Sequence, residues 1–225
     1  MSRHPAAHRS APDELLLDYA SGSLAEGPAL AVALHAALDP AAARTVDRLA
    51  NLAGAMLDAE ADATPFDANG GDAELAKAMA RIEGLAVDPR AKPRAVPEEF
   101  GWAPAPLHRY LRPGMEFRRR LGGFEEMPLD ISGHRVSLLR LMPGKGLPMH
   151  RHTGEEFSVV LQGGYTDETG NYDVGAFAVG PGPNEHQPIA DPGEPCVALI
   201  VLENPIVLTG PAGRFFNPLV KRGIL

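Results

Sequence analysis

The sequence predicts an α+β chain built as two domains: a small helical domain at the N-terminus and an all-β barrel or jelly roll at the C-terminus. Three observations carry this. Apolar residues recur at helical spacing over most of residues 1–90. A proline-dense stretch follows. From about residue 115 the texture changes to short apolar runs divided by Gly, Pro and Asp, which read as closely spaced antiparallel strands. The expected organisation is a helical domain over 1–90, a proline-rich linker over 91–114 and a β domain over 115–225.

The elements follow in order. Residues 1–12 are rich in Ala, His, Arg and Pro and are expected to fray. "APDELLLDYASGSL" opens a helix with Asp13 as cap and Leu15, Leu16 and Tyr19 as its apolar stripe, and "SGS" stops it. "EGPALAVALHAAL" is a second helix, opened near Pro28 and halted near Pro40. "AAARTVDRLANLAGAMLDAEAD" is a third, with Val46, Leu49, Leu52, Ala53 and Met56 at helical spacing. "ATPFDANGGD" reads as a flexible break before a fourth helix, "AELAKAMARIEGL". Beyond the prolines, "HRVSLLRLMP", "EEFSVVLQGGYTD", "GAFAVGP", "HQPIA" and "CVALIVLE" are strand-like.

Charge narrows the function. The 225-residue chain carries a net charge of -8, which argues against direct contact with nucleic acid, since phosphates need Lys and Arg. Residues 1–90 hold fourteen Asp and Glu against seven Lys and Arg, so -7 of that charge lies in the helical half and suits a basic protein partner. The single cysteine, Cys196, excludes an intramolecular disulfide and fits a reducing cytoplasm. No basic start with an apolar core opens the chain, and the longest apolar stretch, "PALAVALHAAL", is too short to span a bilayer.

The chemistry concentrates in "GKGLPMHRHTGEEFSVVLQG". Along a strand, residues i and i+2 share a face, so His150 and His152 present two imidazoles together, and Glu156 has the same parity. Two imidazoles and a carboxylate on one wall suit a divalent transition metal such as Zn, Fe, Mn, Ni or Cu. "GPNEHQP" supplies His186 as a fourth ligand from a turn.

These residues resemble a known family. Gly144, His150-x-His152, Glu156 and Gly163 stand at the spacing of the first cupin motif, and Gly175, Pro181 and His186 at that of the second. Pro183 replaces the motif's Gly, and Ala190 replaces its Asn. The resemblance implies a small double-stranded β-helix barrel with His150, His152, Glu156 and His186 around one divalent metal. Together with "DELLLDYASGSL", "ALAVALHAAL" and "GGYTDETGNYDVGAF", the chain resembles the ChrR-type zinc-dependent anti-sigma factors. That implies a helical domain that clamps a group IV (ECF) sigma factor and a metal-binding cupin that helps sense oxidative stress. It also favours zinc, where the ligand set alone admits iron, manganese or nickel equally.

The resemblance breaks at the N-terminus. The family's helical zinc site uses an upstream His and the pattern His-x3-Cys-x2-Cys. Here His35 is followed by Asp39 and Ala42 in the cysteine positions, with His8 upstream. His8, His35 and Asp39 are what remains of a degenerate metal site, and without thiolates a closed structural zinc is not expected. The domain is then held by its apolar stripe and by docking on the cupin, and either binds a sigma factor without zinc or has lost that role. Cys196, in "PCVALIV", reads as a buried, inert thiol. Met142 and Met149 are oxidisable neighbours of the metal residues. The competing reading is a metal-dependent cupin dioxygenase or isomerase with Glu155 as spare carboxylate, or a cupin that only binds a small ligand.

Overall fold

Leu16 and Leu30 to Leu34 have too few neighbours within their own helices to leave water, and the fold buries them against each other and against a β-sheet. The structure, a computed structural model, describes residues 10–63, 68–84, 95–120, 122–180, 182, 184–210 and 213–221. His8, residues 85–94, Pro181 and Pro183 lie outside the described residues.

Four helices come first: α1 (Asp13–Ala20), α2 (Glu26–Leu38), α3 (Pro40–Ala63) and α4 (Ala68–Glu83). α1 follows Pro12 with no side-chain cap, so Asp13 acts in the first turn through its charge and does not cap the helix as expected. Pro40 is the first residue of α3, where its missing N–H is harmless. Asp39 caps that helix: its Oδ1 accepts the Ala41 N–H at 2.8 Å and its carbonyl accepts the Ala43 N–H at 3.0 Å. α4 starts earlier than the glycines suggested and runs through Gly70 and Gly71. Among the described residues, no helix is long and apolar enough to cross a membrane.

The segment 95–113 packs closely. Two short 3-10 turns, Glu98–Phe100 and Ala105–Leu107, follow Pro97 and Pro104, and Phe100, Leu107, Tyr110 and Leu111 are buried in the main core. The expected proline-rich linker therefore packs, in this part, as a strap across the helical domain.

The C-terminal part holds β1 (Arg118–Arg119), β2 (Glu125–Leu129), β3 (Arg135–Leu141), β4 (His150–Arg151), β5 (Glu156–Gln162), β6 (Gly164–Asp167), β7 (Gly170–Asp173), β8 (Phe177–Val179), β9 (Ile189–Ala190), β10 (Cys196–Leu202), β11 (Val207–Leu208) and a last short helix, α5 (Asn217–Lys221). One sheet has the order β1-β2-β3-β10-β5-β8; smaller sheets pair β11 with β4 and β6 with β7 and β9; these strand pairs are antiparallel. β5 and β10 read as continuous apolar runs because both their faces are covered. Phe157 and Val159 of β5, Leu199 and Val201 of β10 and Val136 and Leu138 of β3 share one core with Leu30, Val32 and Leu34 of α2. Glu156, Ser158, Ala198, Ile200 and Leu139, of the opposite parity, line an interior cavity.

α2 comes very close to the sheet. A Cβ on Gly27 would stand 3.1 Å from Val136 Cγ2 and 3.2 Å from Val201 Cγ1, so glycine is what lets the helix backbone seat on the strands. α2 has apolar residues on nearly all sides because α1 and α3 cover what the sheet does not.

Candidate metal centre

His150 and His186 are held by each other's backbones. The His150 N–H donates to the His186 carbonyl at 3.1 Å, and the His186 N–H to the His150 carbonyl at 2.9 Å. His152 N–H donates to the Gly182 carbonyl at 3.2 Å, and Glu156 opens β5, where its carbonyl accepts the Gly180 N–H at 2.9 Å. A Cβ on Gly180 would fall 2.9 Å from both Glu156 Cβ and Oε2, so this glycine leaves room for the carboxylate to turn inward.

These backbones bring all four side chains to one point. His152 Nε2 lies 2.9 Å from His186 Nε2, which lies 3.1 Å from His150 Nε2. Glu156 Oε2 is 2.6 Å from His152 Nε2. The three histidines form a buried group able to hold a metal ion.

The outer hydrogen bonds orient the rings. His150 Nδ1 faces the Pro148 carbonyl at 2.8 Å, and His186 Nδ1 faces Asp167 Oδ2 at 3.1 Å. These acceptors assign the proton to Nδ1 in both rings and turn the Nε2 lone pairs inward. Burial, and then the charge of neighbouring His186, pull the His150 imidazole down to about 4, so it is neutral near neutral pH. Burial raises the Asp167 carboxyl, but hydrogen bonds from His186 and Thr169 outweigh it and leave the group below its ordinary value. Asp167 thus stays a carboxylate behind His186.

The donor set fits a cation. Lone pairs that face one another at such distances repel, and Glu156 Oε2 is buried without a hydrogen-bond partner despite its closeness to His152. A divalent ion about 2.0–2.1 Å from each nitrogen holds its donors roughly 3 Å apart and removes both penalties.

The comparisons agree with the fold. Residues 114–205 match the family described as the ChrR Cupin-like domain. Over 213 residues the chain is 30% identical to the anti-sigma-E factor ChrR of Cereibacter sphaeroides, covering 93% of this chain and 96% of that protein. The chain belongs to the ChrR family. A chain of the crystal structure of Rhodobacter sphaeroides SigE in complex with the anti-sigma ChrR is 27% identical, with a TM-score of 0.68 over 86% of this chain and 98% of that one.

The other residues singled out in this ChrR-family sequence fall in different places. His35 is fully buried: its Nδ1 faces the Gly175 carbonyl at 2.7 Å, its Nε2 accepts the Ala11 N–H at 3.3 Å, and Asp39 Oδ2 stands 3.7 Å away. Both ring nitrogens are engaged by protein groups, one of them across to the barrel. Cys196 is buried, and burial, with a lesser push from Asp191, raises its thiol to about 12. Glu155 is exposed, with the opposite parity to Glu156, and is not among the residues lining the cavity. Ala190 is buried in β9 opposite Tyr165. Sequence reasoning missed Asp167, which sits nineteen residues before His186 in the β6–β7 hairpin, a turn-like "TDETG" with no local mark of a metal partner.

Proposed function

We propose that this ChrR-family chain is an anti-sigma factor that sequesters a group IV (ECF) sigma factor in the cytoplasm. Its barrel holds one divalent metal, zinc foremost, through His150, His152, Glu156 and His186, and uses it to sense oxidative stress, not to turn over a substrate. The helical domain works without a metal at His8, His35 and Asp39.

The observation that carries the partner is an apolar row left in water. On α4, Leu75, Met79 and Ile82 recur at i, i+4 and i+7 and are 61%, 47% and 59% exposed. Leu52 and Met56 of α3, four apart, are likewise exposed. Rows of this kind, rimmed by Asp58, Glu60, Asp72 and Glu74, mark an interaction face for an apolar and basic partner. The relatives' association with a sigma factor supplies the partner's class. On the sensing side, half-buried Met149 precedes a metal residue, and Met142 is exposed at the end of β3. A signal acts only through a difference in how the two states bind it.

The test is co-expression of the full chain with the host's group IV sigma factors, one at a time. A stoichiometric complex is expected with at least one. The double variant Leu75→Glu/Met79→Glu is expected to weaken it tenfold or more. No complex with any of them overturns the function; an undiminished complex in the double variant overturns the surface.

A further inference from the structure

Beside the cavity of the metal residues lies a second hollow of about 70 Å3, and His150 and Glu156 line both. Its walls are Leu139, Leu147, Ile200 and Leu202 of the barrel interior and Leu208 and Val220 from the C-terminal segment. Its other charged lining residues, Glu126 and Arg135, are already paired with each other. Arg120 Nε meets Glu126 Oε2 at 2.8 Å and Arg135 closes on the same carboxylate at 3.2 Å, with Glu126 itself buried. The hollow thus offers an incoming molecule apolar walls and, at one end, the metal residues.

The C-terminal segment covers it by an identifiable fastening. Asn217 clasps the backbone of Leu208 twice: its Oδ1 accepts the Leu208 N–H at 2.8 Å and its Nδ2 donates to the Leu208 carbonyl at 3.1 Å. Val220, one turn on, is 2% exposed. β11, which carries Leu208, pairs with β4, so that Leu208 lies opposite His150. The cover is hung on β11, the strand paired with the one that holds His150.

We propose that this hollow binds a small neutral molecule with an apolar body and one oxygen or nitrogen donor at its head, and that residues 213–221 are the door over it. The head meets the metal residues, and only that part rests on the metal reading above. The body fills the apolar chamber, whose volume corresponds to roughly five water-sized units, enough for about five or six non-hydrogen atoms. Entry requires Val220 to leave, which breaks the Asn217 clasp and tugs β11 against β4.

The test is methyl NMR of the full, metal-loaded chain titrated with straight-chain 1-alkanols from propanol to octanol. Saturable shifts are expected at Ile200, Leu208 and Val220. Affinity should rise about fourfold per methylene, the transfer value for one buried CH2, and level off near six non-hydrogen atoms. Ile200→Trp fills the chamber and is expected to abolish saturation, with Leu202→Phe as the milder filling variant. Asn217→Ala is expected to speed exchange between free and bound forms. Shifts that never saturate, affinity still climbing at octanol, or unaltered binding in both filled variants overturns the site; unchanged exchange in Asn217→Ala overturns the door. Repetition after chelation separates the two readings. Saturable shifts without metal support the chamber even if the metal assignment fails, and metal found by elemental analysis with no saturable shift overturns the chamber alone.

Discussion

Replacing His35 by phenylalanine separates a latch from a metal ligand. A somewhat larger aromatic ring takes the place of the imidazole and stays against Phe177, whose ring centroid lies 5.5 Å away. The Gly175 carbonyl and the Ala11 N–H, both buried, lose the partners they have at 2.7 and 3.3 Å. A buried backbone group left unpaired costs about 1–3 kcal/mol. Two of them, offset by the easier burial of a phenyl ring than an imidazole, come to about 3 kcal/mol. At this chain length 1 kcal/mol moves Tm by about 2–4 °C, so the variant is expected to melt about 6–12 °C below the parent. The assay is differential scanning calorimetry of both proteins with parallel elemental analysis. Metal content should be the same in parent and variant. A Tm within about 2 °C of the parent, or one metal fewer per chain in the variant, would refute the reasoning.

Three further outcomes are expected. His152→Ala and Glu156→Ala each lower metal occupancy of the purified full chain, and full occupancy in both variants by elemental analysis would remove them from the ligand set. Cys196, with its thiol raised to about 12 from an ordinary 9.0, carries roughly a thousandfold less thiolate near pH 8. Iodoacetamide should therefore spare it in the folded protein and label it after denaturation, and rapid labelling of the native chain would contradict its burial. Gly27→Val pushes methyls into Val136 and Val201, already 3.1 and 3.2 Å from a single added carbon, and should cost about 1–3 kcal/mol in thermal melts.

Much of this architecture was legible because the relevant signals are local. α2 ends where Pro40 begins the next helix, and β5 and β10 announce themselves as apolar runs. The alternation that pairs His150 with His152 is local, but it does not extend to Glu156: β4 ends at Arg151 and Glu156 opens β5 after a turn, brought back beside the histidines by the backbone bonds of Gly180 and Gly182. What escaped depended on distant pairing. Asp167 reaches His186 only because β6 pairs with β9. Phe100, Leu107 and Leu111 were hidden among prolines, since short 3-10 turns bury side chains without a repeating period. Gly70 and Gly71 suggested a break, yet α4 runs through them. His35 resembled the remnant of a ligand because nothing nearby in the sequence names the Gly175 carbonyl, 140 residues away.

The seating of α2 on the sheet sets how news can travel. Lifting the helix off would bare Val136, Leu138, Val159, Leu199 and Val201, all now almost fully buried. At about 1.5–3 kcal/mol for each such side chain, the detached form lies on the order of 10 kcal/mol uphill and is held by roughly one chain in ten million. α2 and the sheet therefore move as one body, and α3, packed on α2, moves with them. Collective motions that keep such a contact intact fall in the microsecond to millisecond range.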